Sequence, residues 1–497
     1  MQPTNAEHKD LAGFDRQAKE IADFLLTCRK VTVVGHIDAD GITATSIAFK
    51  ALQDQRIDVN YNFIKKIDEN EIKRINKVAS DGVLLVDLGS GYASKLDHPG
   101  LCIADHHEVD PAGRPAPKRR GQVNLLDFDT DASRHLNPHL FGFDGSKEMS
   151  GAGAAYSIAK AMDGRNRSLA HLAIVGAVGD FQDSSECRLI GLNRRILEDA
   201  ETVGSVRATS DVRYFGRESR PLVNFLKYSS DPRLPRLTNE EDMCYEFLRE
   251  QDIPLKEDGR WRCWADLRPE EKERIVDVLR EILAGSEQGP ETASRLTGEV
   301  YSLIREEPRT VMHDAKEFAT LLNSCGRYEK APTGLEVCIK GPALRREKQK
   351  ALRNLQNHRD NLRGAIEMVK GKDRIVLGSV QFLRNADGSF CLPVEDTVVG
   401  IVAGMLLGSG DIPSDRPLLA FAVSVDDDNV EMTKASARGT KELVDRGLDL
   451  SSAMRRASES VGGTGGGHNI AAGATIPPGR EMDFLAEIDR IVSAQLG

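Results

Sequence analysis

Positive charge is in short supply. The 497-residue chain carries 67 Lys and Arg against 77 Asp and Glu, a formal net charge of −10. Overall charge therefore gives no sign of nucleic-acid binding, and only local basic stretches can supply it. No apolar run approaches the ~20 residues that span a bilayer, so no membrane segment is expected. The opening MQPTNAEHKD is polar and has no apolar centre, so it is not expected to act as a secretory signal. The eight cysteines are scattered with no C-x-x-C pair, which argues against a structural zinc site and a disulfide framework and for a reducing cytoplasm. There is no G-x-x-x-x-G-K-[ST] loop, so ATP hydrolysis is not expected.

A 40% hydrophobic and 29% charged composition describes a globular chain, and its length calls for two to four domains. Residues 14–28 read as a helix. Strand 31–35, helix 42–53, strand 59–64, helix 68–79 and strands 83–87 and 101–105 follow. This alternation predicts an α/β domain with a mostly parallel sheet over residues 1–205, including two buried Ala-rich helices within 150–178. Residues 109–121 read as a Pro- and Arg-rich loop. Residues 206–342 read as a mainly helical insertion suited to a partner, with a helix over Arg268–Leu283 whose apolar positions are Ile275, Val278, Leu279 and Ile282. Residues 343–370 read as a long connector helix with a Leu352, Leu355, Leu362, Ile366, Val369 stripe. A smaller α/β domain over 371–497 has strands at 375–380, 418–425 and 430–437.

Three candidate strands end in acids and imidazoles. VTVVG runs into His36, Asp38 and Asp40; VLLV stops at Asp87; LCIA stops at Asp105, His106 and His107. The apolar helix pair ends at Asp180. If the chain stays extended, His36, Asp38 and Asp40 project to one side. Each motif alone fits a polar turn or a helix cap. Together, Asp38, Asp40, Asp87, Asp105 and Asp180 would repel one another strongly without cations. Two divalent ions would offset four of those charges, and a pair ~3.5–4 Å apart can clamp a phosphate and activate water. Imidazole with carboxylate suits Mn²⁺, and less exclusively Mg²⁺ or Zn²⁺. His107 is left to contact the phosphate or move a proton. His98, His135 and His139 read as surface or loop residues and His171 as a helix residue. Near the end, GGTGGGH offers glycine backbone to an anion, with His468 and the upstream Arg438 adding charge suited to phosphate.

These residues together resemble the DHH phosphoesterase superfamily, in its branch with a DHHA-type C-terminal domain. The first motif matches at His36–Gly41, the second at Asp87, the third at Asp105–His107 and the fourth at Gly179–Asp180. The glycine motif matches at Gly465, Gly466, Gly467 and His468 with Ala471–Gly473. The resemblance implies two Mn²⁺ ions, with Mg²⁺ as an alternative. His36, Asp38 and Asp87 would hold one; Asp40, Asp87, His106 and Asp180 would hold the other, with Asp87 bridging. It implies that Asp105 orients the site and that His107 faces the scissile phosphate. It further implies that the C-terminal domain closes over the site, holding the nucleic-acid end through Arg438, Gly465–Gly467 and His468.

The layout is similar to archaeal RecJ-like single-strand exonucleases of the GINS-associated type, and no C-terminal OB-fold is expected. The implied activity is Mn²⁺-dependent hydrolysis of single-stranded DNA or RNA to 5′-mononucleotides, 5′→3′ on DNA, in replication or repair, with GINS or other replisome proteins met through residues 206–342. Two alternatives stay open: a phosphodiesterase of oligoribonucleotides or cyclic dinucleotides, and a largely non-catalytic replication scaffold that binds GINS.

Overall fold

The computed structural model describes residues 9–110, 134–229, 231–286, 289–340, 344–369, 372–408, 412–425 and 429–497. It contains two compact units, one of residues up to Lys227 with Glu241–Leu355, the other of Tyr228–Glu240 with Gln356–Gly497. Among the described residues no helix is long and apolar enough to cross a membrane.

The first unit opens with helix α1 (Leu11–Thr27), strand β1 (Lys30–His36), helix α2 (Ala39–Asp54), strand β2 (Asp58–Ile64), helix α3 (Glu69–Asn76), and strands β3 (Gly82–Val86), β4 (Leu101–Ala104) and β5 (His135–Leu136). The sheet order is β2-β1-β3-β4-β5, and all its pairings are parallel. Strand β3, GVLLV, shows why such strands read as unbroken apolar runs. Leu84 and Val86 join one core cluster, while Val83 and Leu85 join a cluster on the other face. Between β1 and β3 the strand order reverses direction. In open α/β sheets that is where ligands bind, outside the carboxyl ends of the strands. His36 and Asp87 lie at those two ends.

Helices α4 (Gly151–Met162), α5 (Ala170–Gly179) and α6 (Leu192–Thr202) follow. Their Ala-rich faces pack with α2 in the core that also takes Phe318, Leu321 and Leu322 of the helix Ala315–Arg327. Small residues let these helices approach closely, and the site is built on that approach.

The expected helical insertion contains strands as well. Arg207–Val212 pairs antiparallel with Thr297–Ser302, and Lys256–Glu257 with Arg260–Trp261. The first pair brings together residues some ninety positions apart, so no local periodicity announces it. The described residues of 206–227 and 241–342 belong to the first unit, and Tyr301, Leu303, Val311, Met312 and Phe318 share its core. The helix Pro269–Ala284 buries Ile275, Val276, Leu279 and Leu283; Val278 and Ile282 are only partly covered. The long helix Leu344–Val369 buries Ala351 and Leu355, whereas Leu352 is exposed. In the first helix the buried stripe is rotated about one position from the expected one; in the second, Leu355 and Val369 are buried as expected, Leu362 and Ile366 pack against a core cluster, and only Leu352 departs. The expected loop at 109–121 lies, from residue 111 on, outside the described residues.

The second unit holds strands β6 (Asp373–Val376), β7 (Gln381–Arg384), β8 (Leu418–Val425), β9 (Glu431–Arg438), β10 (Thr464–Gly467) and β11 (Ala471–Ile476), in the order β6-β7-β8-β9-β11-β10. Its β8 alternates strictly: Leu419 and Phe421 face one cluster, Leu418, Ala420 and Ala422 the other. The strand expected at 375–380 is instead two strands of a hairpin. Leu377 N–H reaches the Val380 carbonyl at 3.0 Å, and Asp489 accepts from the Ser379 and Val380 N–H groups. The Gly378-Ser379 turn outweighs the β-branched residues around it.

The helix Ala315–Arg327 opens with a buried acid. Glu317 is fully covered and accepts hydrogen bonds from Glu218 N–H at 2.8 Å and from the Ser219 hydroxyl. Burial first, and then the neighbouring Asp314 carboxylate, push its carboxyl up to about 7. The folded chain therefore holds this proton more tightly than the unfolded one. The contribution to stability is complete below the ordinary Glu value near 4.5 and is lost as pH rises to about 7. Glu317→Gln should remove the loss, which is on the order of 3 kcal/mol. Urea unfolding of both proteins from pH 4.5 to 8 checks it, and a variant whose stability runs parallel to wild type across that range contradicts it.

Candidate metal centre

Strand β1 delivers His36, and the chain then turns into α2 instead of staying extended. Asp38 caps that helix, its Oδ1 accepting from Gly41 N–H at 2.9 Å. Asp40 stands in the first turn, 2% exposed, and accepts from Gly151 N–H at 2.6 Å and Ala152 N–H at 3.0 Å. Asp40 thus sits at the N-terminus of α4, where free N–H groups and the helix dipole favour an anion. The expectation that a pleat would align these three residues is corrected: Asp38 pairs with His36 at 2.9 Å, and the first turn of α2 carries Asp40 to α4 and to within 3.8 Å of His106. Two glycines make the approach feasible. A Cβ on Gly151 would lie 2.5 Å from Asp87 Cβ, and one on Gly176 would lie 2.4 Å from Asp40 Oδ1.

Asp87 follows β3 with φ +59°, a conformation that L-residues adopt at a cost. It is 2% exposed. His106 Nε2 approaches its Oδ1 at 3.2 Å, and His36 Nδ1 approaches its Oδ2 at 3.6 Å. Both carboxylate oxygens are nonetheless buried without a hydrogen bond, as is His36 Nδ1.

Asp105 is the opposite case. Its Oδ2 accepts from Ser90 N–H at 2.8 Å; its Oδ1 accepts from the N–H groups of His106 and His107 and from His107 Nδ1 at 2.8 Å. Behind it, Asn137 Nδ2 donates to Ser90 Oγ and to the His107 carbonyl, and Ser90 Oγ lies 2.7 Å from His135 Nε2. Since Ser90 accepts from Asn137, its hydroxyl is free to donate to His135, which burial keeps neutral. His135, expected at the surface, is buried in β5; His98 is buried too.

His106 Nδ1 lies 2.7 Å from the Gly145 carbonyl. Nδ1 donates to that carbonyl, and Nε2 points at Asp87 and, at 3.8 Å, at Asp40. Asp180 ends α5 with its Oδ2 3.8 Å from His106 Nδ1 and 3.1 Å from Gln182 Nε2. Buried Gln182 also donates to the Gly145 and Met149 carbonyls and accepts from Asn193.

The charges are unbalanced. Burial opposes a charge on His36, but Asp38 and Asp87 carry its pKa well above the ordinary imidazole value. Burial acts the same way on His106 and His107, and there Asp180 and Asp105 respectively lead the acids that win. Burial, then Asp87, raise Asp40 well above the carboxylate range. Burial would raise Asp38 and Asp105 as well, yet His36 and His107 hold them below it. Protons are drawn in where compensation is missing.

Two groups of donors converge. His36, Asp38 and Asp87 each offer an atom within 4.8 Å of the others, as do Asp87, Asp105, His106 and His107. Asp87 belongs to both. The unpaired Asp87 oxygens and the carboxylate–imidazole chemistry fit divalent cations. Of the second expected ligand set, Asp87 and His106 come together and Asp40 stands near, while Asp180 meets His106 on the nitrogen already engaged by Gly145.

The glycine segment is not a loop. Gly465–Gly467 lie in β10, with Gly466 opposite Gly473. His468, exposed, closes the hairpin with Ala471. A Cβ on Gly466 would meet nothing within 4 Å, so open space lies over this backbone. Arg438 ends β9, donates to the Ala437 carbonyl at 2.8 Å, and lies so close to the helix Asp396–Gly408 that a Cβ on Gly400 would come within 2.5 Å of its Nη2.

Sequence reasoning missed the helix Ala315–Arg327. Asn323 Oδ1 accepts from Ala39 N–H at 2.9 Å, and a Cβ on Gly326 would lie 1.7 Å from the Ile37 carbonyl oxygen. Arg327 is close enough for the Asp38 carboxylate to act on its charge. The segment carries no motif because its contribution is made across some 285 residues. The SGAGAA run at 150–155 was the one local signal of crowding near the site.

Residues 214–295 match the model of the DHH-CID domain and residues 390–494 that of the DHHA1 domain. An uncharacterised protein of Methanocaldococcus jannaschii is 26% identical over 471 residues, 94% of each chain. The fold is similar to exonuclease RecJ bound to manganese (TM-score 0.53, 16% identity, 99% of this chain and 96% of that one). It is also similar to CDC45 from Entamoeba histolytica (TM-score 0.62, 10% identity, 97% of each chain). The chain has the DHH/DHHA1 superfamily fold, RecJ-like in layout.

Asp87→Asn should leave the metal-free protein close to wild type in stability, because it relieves the repulsion Asp87 exerts on Asp40 while losing its attraction to His36 and His106. It should also abolish the rise in melting temperature on adding Mn²⁺. Thermal unfolding with and without Mn²⁺ checks both; a variant stabilised by Mn²⁺ as strongly as wild type contradicts the assignment.

Proposed function

We propose that this chain is a Mn²⁺-dependent exonuclease that hydrolyses single-stranded nucleic acid to 5′-mononucleotides. The observation that carries the reading is Asp87: two buried carboxylate oxygens that accept no backbone hydrogen bond, are approached by the His36 and His106 rings, and are shared by two sets of donors. His36, Asp38 and Asp87 would hold one cation; Asp40, Asp87, His106 and Asp180 the other. Bound there, divalent cations supply Lewis-acid polarisation of a phosphoryl oxygen and lower the pKa of water.

The chain's own residues do the rest. Asp105, fixed by Ser90 and by three N–H donors of residues 106 and 107, holds the His107 ring through Nδ1. The His107 side chain is 43% exposed, so the ring meets solvent where a substrate would enter. Asp105 holds a proton on this imidazole, and Nε2–H would donate to a phosphate oxygen or to the departing O3′. Water adds to phosphorus, the P–O3′ bond breaks, and O3′ leaves with a proton. Arg438, the glycine backbone of Gly465–Gly467, open at Gly466, and His468 would hold the strand. DNA cleaved 5′→3′ is the primary substrate in this reading, RNA a second one, and the setting is cytoplasmic replication or repair. Residues 206–342, which include the DHH-CID match, are the surface for a replisome partner such as GINS.

Protein incubated with Mn²⁺ and strands labelled at either the 5′ or the 3′ end should release labelled mononucleotide at once from one end only. Asp38→Ala should release none. His468→Ala should keep its Mn²⁺ and raise KM about tenfold, as expected for one lost charge-assisted hydrogen bond. Cleavage of trinucleotides but not of a 30-mer would establish the small-substrate alternative, and no cleavage of any strand would support the scaffold.

A further inference from the structure

We propose that Phe181 is the platform on which a nucleobase of the substrate stacks beside the metal centre; this rests on the nuclease reading above. Phe181 follows the candidate ligand Asp180 directly. At 68% it is the most exposed large hydrophobic side chain among the described residues. Its φ is +57°, the left-handed region.

The position explains the conformation. Helix α5 ends in paired closing bonds: Phe181 N–H reaches the Val178 carbonyl at 3.1 Å and Gln182 N–H the Ala177 carbonyl at 3.0 Å. This is a Schellman closure, whose left-handed residue is normally glycine. A phenylalanine there is strained, and burial gives nothing back because the ring faces solvent. Folding alone favours neither feature. The backbone around it is locked. Asp180 N–H bonds to the Gly176 carbonyl, Ser184 N–H to the Phe181 carbonyl, and Gln182 is buried with its amide tied to Gly145, Met149 and Asn193. The ring is therefore held out rigidly, one residue from the acids.

The surroundings select the ligand. The acids beside Phe181 repel an uncompensated phosphate, so the strand needs an uncharged hold at this edge. Every base has a π face, so stacking holds a strand without reading its sequence. Phenylalanine has no polar atom with which to discriminate bases.

The test uses the full chain with Phe181→Ala, Phe181→Trp and Phe181→Gly. Quenching of a 2-aminopurine oligonucleotide by metal-free protein reports stacking without catalysis. Wild type and Phe181→Trp should quench; Phe181→Ala should not. With Mn²⁺, Phe181→Ala should raise KM about 10- to 100-fold, the range for one lost base–aromatic stack, with Mn²⁺ content unchanged. A tetrahydrofuran abasic residue at the stacked nucleotide should raise the wild-type KM by the same factor and add nothing in Phe181→Ala. Phe181→Gly should bind as weakly as Phe181→Ala yet melt higher than wild type. Equal quenching by wild type and Phe181→Ala, or a lower melting temperature in Phe181→Gly, overturns the proposal. If wild type cleaves nothing, the nuclease reading fails, and quenching still decides Phe181.

Discussion

A carboxylate that is buried without hydrogen bonds is among the most unfavourable groups a fold can carry, and Asp87 is such a group. Much of the first unit is arranged around it. The reversal of strand order between β1 and β3 opens the crevice. The ends of β1, β3 and β4 bring His36, Asp87 and Asp105 to one edge, and α4 and α5 crowd in from the other side. Glycine at 151 and 176 is a consequence: any side chain there would strike Asp87 or Asp40. The apolar character of the two helices is the other half of that design, because a dry wall strengthens every charge interaction in front of it.

The acids are held in different ways, and the difference distinguishes their roles. Asp105 has its oxygens occupied by four donor contacts and gives up its charge to orientation of the His107 ring. Asp40 is restrained by two N–H groups of α4, and Asp38 by one of α2. The Asp87 carboxylate accepts from no backbone N–H group and meets only the His36 and His106 rings, on a left-handed backbone that a helix or strand would not choose. A site meant only to be stable would satisfy Asp87 as it satisfies Asp105. Leaving those oxygens bare makes sense when a cation completes them.

Strand ends were legible in the sequence because apolar runs followed by acids are a local pattern. VLLV then Asp87, and LCIA then Asp105, announce both the strand and the chemistry. The way His36, Asp38 and Asp40 are placed was not legible, since the helix begins three residues earlier than its apolar periodicity suggests, at Ala39 behind the Asp38 cap. His135 was misplaced because a two-residue strand has no periodicity to read. Asn323 and Gly326 act on Ile37 and Ala39 through a fold that joins residues far apart in the chain. Phe181 looked like one more apolar residue after a buried run. Only the helix closure shows that its side chain stands where glycine is expected.

Likeness of fold does not decide what the site does. RecJ and CDC45 structures both superpose along nearly the whole chain at 16% and 10% identity, levels at which architecture persists and side chains do not. The argument for chemistry therefore rests on groups whose arrangement has a cost. A protein that only binds others has no physical need for bare carboxylates behind a dry wall, and mutation toward asparagine or leucine would relieve it. Asp87 buried without a backbone hydrogen bond, Asp40 at a helix N-terminus and Phe181 strained and exposed are a set of costs that share one explanation under the proposed reading: cations, a phosphate and a base would meet at the switch point of the sheet.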